Sequence, residues 1–229
     1  MAKIKPRIKI TEDGPYIVTG GVPLYEHTIV YDKDGYSKGY KETKKYGVGG
    51  SYSLCRCGAS KNAPFCDGSH TTVGFNGKET ARRESYVSCA ERTEGKELDL
   101  TDYTDLCAYA RFCDSCGGAW GLPEKTNKKE YRNELIRQCN VCPSGRLVVW
   151  DKKSGRAIEE KFKASIVLIE DPWAKCSGPI WVRGGIAIES ANGEEYEVRN
   201  RVTLCRCGKS HNKPFCDGTH AAIKFRAKK

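Results

Sequence analysis

The chain has 229 residues, of which 38% are hydrophobic and 30% charged, and its formal net charge is +10. It contains no apolar run of about 18 residues, the length that indicates a transmembrane helix, so we expect no membrane span. Lysines and arginines are scattered along the sequence rather than collected in one run. The positive charge therefore indicates a basic solvated surface and argues against a nucleic-acid-binding protein.

The sequence contains 13 cysteines, which indicates disulfides, bound metal or both. The amino-terminal stretch MAKIKPRIKITEDG lacks the apolar segment of a secretory signal. We therefore expect a cytoplasmic protein with reduced thiols. An odd number of cysteines also fits complete disulfide pairing poorly, so the cysteines are expected to bind metal.

The first predicted elements are short strands that recur later in the chain. The segment GPYIVTGGVPL at residues 14–24 is repeated as GPIWVRGGIAI at residues 178–188. Each copy predicts two strands joined by a Gly-Gly turn. The first copy continues into YDKDGYSKGYKETKK, residues 31–45, which predicts an additional hairpin. Both copies then lead into a cysteine-rich loop and a turn of helix, so each is predicted to be a small β module.

The segment between the copies, residues 80–171, is predicted to be an α+β insert. Residues 103–112 have a helical pattern, and NKKEYRNELIRQC at 127–139 has a clearer one, with Asn127 as the N-cap. The apolar face of this second helix is predicted to contain Tyr131, Leu135, Ile136 and Cys139.

A hairpin and a strand are predicted to complete the insert. RLVVW at residues 146–150 and AIEEKF at residues 157–162 flank a Lys-Lys-Ser-Gly turn, and the apolar strand SIVLIE follows at residues 165–170. The chain is thus predicted to be a β-rich α+β protein with a first module at 1–79, the insert at 80–171 and a second module at 172–229.

The most specific feature is a sequence that occurs twice, CRCGASKNAPFCDGSH at residues 55–70 and CRCGKSHNKPFCDGTH at residues 205–220. In the first copy, Cys66 and His70 share one face of a helical turn and can reach one metal ion. Cys55 and Cys57 can then hold another. Two pairs of ligands suit a [2Fe-2S] cluster, in which each iron takes two protein ligands. A tetrahedral zinc site with three thiolates and one imidazole is the alternative.

The pattern C-x-C-x8-C-D-G-[ST]-H resembles the signature of the CDGSH iron–sulfur proteins, the NEET family, and both copies match it at every ligand position. The resemblance implies one [2Fe-2S] cluster in each copy, held by three cysteines and a solvent-accessible histidine. The implied ligands are Cys55, Cys57, Cys66 and His70, and then Cys205, Cys207, Cys216 and His220.

The tandem arrangement is similar to the mitochondrial inner NEET branch, in which one chain carries both modules. This similarity implies that two β-rich modules pack about a pseudo-two-fold axis. It also implies a monomer, because the second module takes the place of the partner chain in a dimer.

The insert supplies a further group of cysteines with two competing interpretations. As paired C-x2-C knuckles, Cys113, Cys116, Cys139 and Cys142 suit tetrahedral zinc or a rubredoxin-like iron. Counted from Cys107, the C-x5-C start and the CPSG end resemble divergent single-cluster ferredoxin domains. That resemblance implies a [4Fe-4S] or [3Fe-4S] cluster with Cys107 as a ligand. Buried thiols without any ligand role are a third interpretation.

No Ser-His-Asp set, nucleotide-binding glycine pattern or paired-carboxylate motif stands out, so we expect no enzymatic activity. An imidazole in place of a thiolate raises the potential of a [2Fe-2S] cluster, and protonation of that imidazole breaks its bond to iron. We therefore expect electron or cluster transfer to a redox or cluster-accepting protein. A zinc-type nucleic-acid-binding or scaffold protein is the alternative. Because the second motif has more cations, its cluster is expected to have the higher reduction potential.

Overall fold

The computed structural model describes residues 4–228. Its strands are β1 (Arg7–Ile10), β2 (Tyr16–Thr19), β3 (Leu24–Tyr31), β4 (Ser37–Tyr46), β5 (Ser51–Leu54), β6 (Glu91–Thr93), β7 (Leu98–Asp102), β8 (Leu147–Asp151), β9 (Ser165–Asp171), β10 (Cys176–Arg183), β11 (Ala187–Glu189) and β12 (Arg201–Leu204). Its α-helices are α1 (Tyr86–Cys89), α2 (Lys129–Val141) and α3 (Thr219–Ala222). No helix in this part of the chain combines the length and the apolar character needed to cross a bilayer. The β-rich α+β class predicted from the sequence is confirmed.

Two sheets form the body of the structure, and each combines strands from both halves of the chain: β11 joins the first sheet, and β3 and β4 join the second. Their strand orders are β11-β1-β2-β5 and β12-β10-β9-β3-β4. Strand β11 pairs in parallel with β1, where Ile8 aligns with Ile188. Strand β3 pairs in parallel with β9, where Leu24 aligns with Ile166. This reciprocal exchange gives the pseudo-two-fold pairing of the two modules.

Strand β9 belongs with the second module, although the predicted division placed it in the insert. It pairs antiparallel with β10, where Ile166 aligns with Val182. The same relation holds between β1 and β2, where Ile8 aligns with Val18. Strand β9 is therefore the counterpart of β1 and lies in the same sheet as β10 and β12.

The strands of both modules share one hydrophobic core. Alternation along β1 leaves Arg7 and Lys9 exposed and buries Ile8 and Ile10, as expected for a strand with one face inward. The modules contribute to this core Tyr16, Val18, Leu24 and Leu54 from the first copy and Ile180, Val182, Ile188 and Leu204 from the second. Because the apolar faces cover one another, the two modules stabilise each other as a pair.

The insert has a separate core between a third sheet, of order β6-β7-β8, and helix α2. Leu98 and Leu100 of β7 point into this core. The side chains of α2 that pack there are Tyr131, Leu135, Ile136 and Cys139. The helix predicted at 127–139 and its apolar face are thus confirmed within two residues at each end.

The helix predicted at residues 103–112 is wrong. A single 3-10 turn, Thr104–Leu106, is followed by extended chain. Tyr109 and Arg111 have positive φ angles, 53° and 58°, which an α-helix of L residues does not accept. Ala110 and Phe112 of this segment pack against strands β9 and β10. Tyr103 and Leu106 pack instead against residues of the insert, Tyr86 and Val148.

The start of α2 and the hairpin after it also differ from prediction. The N-cap position is Lys128, which makes no side-chain capping bond, so Asn127 does not cap the helix. The predicted second strand of the hairpin makes only an isolated bridge between Ala157 and Trp150. Strand β8 therefore has a regular partner only on its other side, in β7.

Candidate metal centres

In the first motif, the predicted ligands lie side by side in two pairs. The Sγ atoms of Cys55 and Cys57 are 3.7 Å apart, and Cys66 Sγ lies 3.5 Å from His70 Nδ1. Two sulfur ligands, or one sulfur and one nitrogen, on a tetrahedral ion at about 2.1–2.3 Å are separated by about 3.5–3.8 Å. Each pair therefore has the spacing needed to hold one metal ion.

The second motif has the same arrangement. The Sγ atoms of Cys205 and Cys207 are 3.8 Å apart, and Cys216 Sγ lies 3.3 Å from His220 Nδ1. In residues 4–228, no three Cys, His, Asp or Glu side chains converge as a single ion would require. Each motif instead offers two separate pairs, which is the donor set of a two-iron cluster.

The aspartate of each motif holds the ligand loop in shape. Asp67 accepts hydrogen bonds from the backbone N–H groups of Lys61 at 2.7 Å and Ser69 at 3.0 Å. These bonds, led by the one from Ser69, hold the pKa of Asp67 well below its ordinary value. Asp217 makes the equivalent bonds in the second motif. The aspartate of each motif therefore fixes the backbone of the ligand loop. This conformation places the histidine next to the third cysteine.

The two ligand loops contact each other directly. A Cβ atom added at Gly58 would lie 2.7 Å from the carbonyl oxygen of Cys207, and one added at Gly208 would lie 2.8 Å from the carbonyl carbon of Cys57. Both glycines also have positive φ angles, 77° and 75°. Glycine is thus needed at both positions for backbone conformation and for close approach. The contact is reciprocal and lies between the two ligand sets.

The two motifs differ in burial. In the first, Cys57 and Cys66 are partly exposed, and so is His70. In the second, all three cysteines are buried and His220 is only 3% exposed. Burial lowers the pKa of His220 to about 4, so its ring is neutral at pH 7 in the metal-free chain and can offer a lone pair. The solvent-accessible histidine implied by the family resemblance therefore describes the first motif and not the second.

A buried arginine follows the first cysteine of each motif, and the two arginines have different partners. Arg56 donates to the carbonyl oxygens of Gly14 at 2.8 Å and Thr11 at 3.2 Å. Arg206 forms an ion pair of 3.0 Å with Glu170. A carboxylate therefore compensates the buried cation beside the second motif. Counting cations in the sequence overestimates the positive charge of that site.

The insert cysteines fall into two groups. Cys107, Cys113 and Cys142 line one cavity together with Arg146. Cys116 is exposed, and Cys139 is 1% exposed within the hydrophobic core of the insert. Cys113 also packs against this core, so it lies near Cys139 and lines the cavity as well. The cavity lining contains the three cysteines of the C-x5-C and C-P sequences.

The cavity thiols are held in a partly buried setting. Burial raises the pKa of Cys113 to about 12, so this thiol must lose its proton when metal binds. Arg146 lies in the same lining and forms an ion pair of 2.6 Å with Asp102. The cavity thus presents three thiols beside an arginine whose charge Asp102 compensates.

A residue that the sequence analysis did not identify connects the insert to the second module. Arg201 of β12 is 1% exposed and donates to the carbonyl oxygens of Cys142 and Cys139, each at 2.8 Å. It also pairs with Glu159. These carbonyls lie at the end of α2, where the helix leaves carbonyl groups without internal partners. No sequence signal marks this burial, since Arg199 lies only two positions before Arg201.

Comparison with protein-family models gives three matched segments. The model described as iron-binding zinc finger CDGSH type matches residues 13–71 and 177–221. The model described as divergent 4Fe-4S mono-cluster matches residues 93–152, which contain Cys107, Cys113 and Cys142. Searches of curated proteins and of solved structures give no significant match. The chain therefore contains two CDGSH-type segments and, between them, a segment that matches a divergent 4Fe-4S mono-cluster domain.

Proposed function

We propose that the chain is a non-enzymatic electron- or cluster-transfer protein with one [2Fe-2S] cluster in each CDGSH module and a third cluster in the insert. The observation that carries the proposal is the division of each motif into two ligand pairs. The two Sγ atoms of the Cys-x-Cys pair are 3.7 Å apart in the first motif and 3.8 Å apart in the second, and the Sγ–Nδ1 distances of the Cys–His pairs are 3.5 and 3.3 Å. This division supplies two protein ligands to each iron of a two-iron cluster.

The histidine ligands support a role in transfer. A neutral imidazole in place of a thiolate removes one negative charge from the cluster, which favours gain of an electron. His70 is also partly exposed, so a proton or a partner protein can approach it. Protonation of a metal-binding imidazole nitrogen breaks the bond to the metal. The first module therefore combines electron uptake with a bond that can be opened.

The ligands proposed for the insert cluster are Cys107, Cys113 and Cys142. Three thiolates are one fewer than a [4Fe-4S] cluster normally takes from a protein. The cluster in this cavity is therefore either a [3Fe-4S] cluster or a [4Fe-4S] cluster with one ligand that is not cysteine. Cys116 and Cys139 have no ligand role in this proposal.

The partners follow from the same features. The proposed partner is a redox or cluster-accepting protein, the proposed compartment is the cytoplasm, and neither nucleic acid nor a membrane is involved. The reciprocal strand exchange and the contact between the ligand loops occur within one chain. These contacts support a monomer, because the chain already contains both halves of the pair.

The proposal is tested with the anaerobically purified chain and single cysteine variants, measured by visible absorption and by electron paramagnetic resonance before and after reduction. C57S and C207S should each remove one [2Fe-2S] signal. C107S should remove the third signal, whereas the matched variant C116S should retain all three. Retention of all signals in C107S would refute the ligand assignment in the insert, and a colourless zinc-loaded chain would refute the proposed function.

A further inference from the structure

The insert covers the second CDGSH motif and leaves the first one open. A Cβ atom added at Gly218 would lie 3.1 Å from the carbonyl oxygen of Cys107 and 3.2 Å from Cβ of Tyr109. Gly68 occupies the same place in the first motif and has the same φ angle of 86°. A Cβ atom added there would meet nothing within 4 Å. We name residues 105–111, which lie over the second motif, the cover loop.

The cover loop is fixed to the second module at both of its ends. At one end, Asn212 Nδ2 donates to the carbonyl oxygen of Asp105 at 2.8 Å. At the other end, Arg111 forms an ion pair of 2.8 Å with Asp171, the last residue of β9. Arg111 also donates to the hydroxyl of Tyr31 at 2.8 Å. The cover loop is therefore a bonded part of the second site.

The cover accounts for the difference in burial between the two ligand sets. His220 is 3% exposed beneath it, whereas His70 is partly exposed. The partly exposed cysteines Cys57 and Cys66 likewise have buried counterparts in the second motif. The two motifs have nearly the same sequence, so the difference arises from what packs on the second one. The cover loop lies over Gly218, and Ala174 and Cys176 pack against Ala221 beside His220.

We propose that the insert gives the two CDGSH sites different functions. The first site exchanges its cluster with acceptor proteins, and the second site retains its cluster because the cover loop excludes an acceptor from His220 and Cys216. This inference rests on the proposed function. It adds that only one of the two clusters is available for transfer.

The transfer step requires an acceptor to reach the ligands of the cluster. The step breaks three Fe–S bonds to Cys55, Cys57 and Cys66 and one Fe–N bond to His70, and it forms four Fe–S bonds to thiolates of a metal-free four-cysteine ferredoxin. The freed ligands take up the protons that the acceptor thiols release, and no electron is gained or lost. An acceptor thiolate can approach the open motif directly. At the second motif it must wait until the cover loop moves away.

The test uses the cluster-loaded chain and measures transfer to a metal-free plant-type ferredoxin under anaerobic conditions. We expect two phases of about equal amplitude, with the second at least about tenfold slower because opening of the cover limits it. G218A should accelerate the slow phase, since the added methyl group pushes the cover loop outward. The matched variant G68A imposes the same left-handed backbone strain without that contact, and it should leave the slow phase unchanged.

A second matched pair removes an anchor instead of adding a methyl group. N212A deletes the bond to Asp105, and N62A changes the equivalent residue of the first motif, where the structure places no residue of the cover loop. N212A should accelerate the slow phase, and N62A should not. Hydrogen–deuterium exchange of the loaded chain gives an independent readout. G218A and N212A should raise exchange in residues 105–111 and 216–220 together.

The outcomes separate this inference from the proposed function. A chain without [2Fe-2S] clusters would refute the proposed function. The proposed difference between the two sites alone would be refuted by two clusters that leave in a single phase. It would also be refuted if G68A accelerated the slow phase as much as G218A does. Unchanged exchange in the cover loop of both G218A and N212A would also refute it.

Discussion

The contact between the two ligand loops makes a prediction about Gly58. The substitution G58A places a methyl group 2.7 Å from the carbonyl oxygen and 2.9 Å from the carbonyl carbon of Cys207. These are backbone atoms, so the ligand loop of the second motif must shift as a unit. The variant therefore tests whether the modules are held together at their metal sites.

The expected cost has two parts. A left-handed backbone costs a residue with a Cβ atom about 1–2 kcal/mol, and overpacking against a fixed neighbour costs about 1–3 kcal/mol. G58A should thus lower the free energy of unfolding by about 2–5 kcal/mol. Gly21 has a φ angle of 64° and nothing within 4 Å of its added Cβ atom. G21A should therefore cost only the first part, about 1–2 kcal/mol.

The assay is urea unfolding of the loaded chain under anaerobic conditions, with fluorescence and visible absorption as separate probes. We expect the free energy of unfolding to fall more in G58A than in G21A. In G58A the visible absorption of both motifs should also be lost at a lower urea concentration than in G21A. Equal losses in the two variants would refute the reasoning. That result would mean that the ligand loops separate without cost and that the modules are paired by their strands alone.

Three further predictions concern other parts of the chain. R201M should lower the free energy of unfolding by about 3–5 kcal/mol, because it leaves Glu159 and the carbonyls at the end of α2 without their partner. A loss below about 1 kcal/mol in urea unfolding would contradict the role of Arg201 as the link between the insert and the second module. The second cluster should have the lower midpoint potential in a redox titration, because burial of its ligands disfavours added negative charge. An equal or higher midpoint would contradict this and support the order expected from the cation count. The bond from Arg137 lowers the pKa of Glu134 to about 2. The ionised carboxylate therefore stabilises the fold above its unfolded pKa of about 4.5, and this stabilisation is lost as the pH falls toward 2. The stability difference between the natural chain and E134Q should shrink between about pH 5 and pH 3, and a constant difference would contradict the assignment.

The ligand sets of the CDGSH modules could be predicted because their chemistry lies in a short contiguous sequence. Cys66 and His70 are four positions apart, and the local turn alone brings them together. Helix α2 could be predicted for a similar reason, since its apolar spacing matches one helical face. The exchange of strands could not be predicted in this way. Strands β1 and β9 are counterparts, yet they share no motif. Residues of β1 alternate between exposed and buried, whereas β9 is buried along nearly its whole length.

The insert shows why spacing alone was insufficient for its cysteines. Cys139 satisfies two patterns, the C-x2-C knuckle and the apolar face of α2, and the hydrophobic core determines its position. Residues 103–112 have helical apolar spacing, but part of this segment lies over the second motif. Burial of His220 depends on this contact between distant parts of the chain. It could not be derived from a motif whose two copies are nearly identical.

The most direct test of the central claim is a count of iron, acid-labile sulfide and zinc in the anaerobically purified chain. Two [2Fe-2S] clusters and one insert cluster predict about seven or eight irons and about eight sulfides per chain, with no zinc. About four irons and four sulfides would leave the insert without a cluster. Stoichiometric zinc without sulfide would contradict the account as a whole.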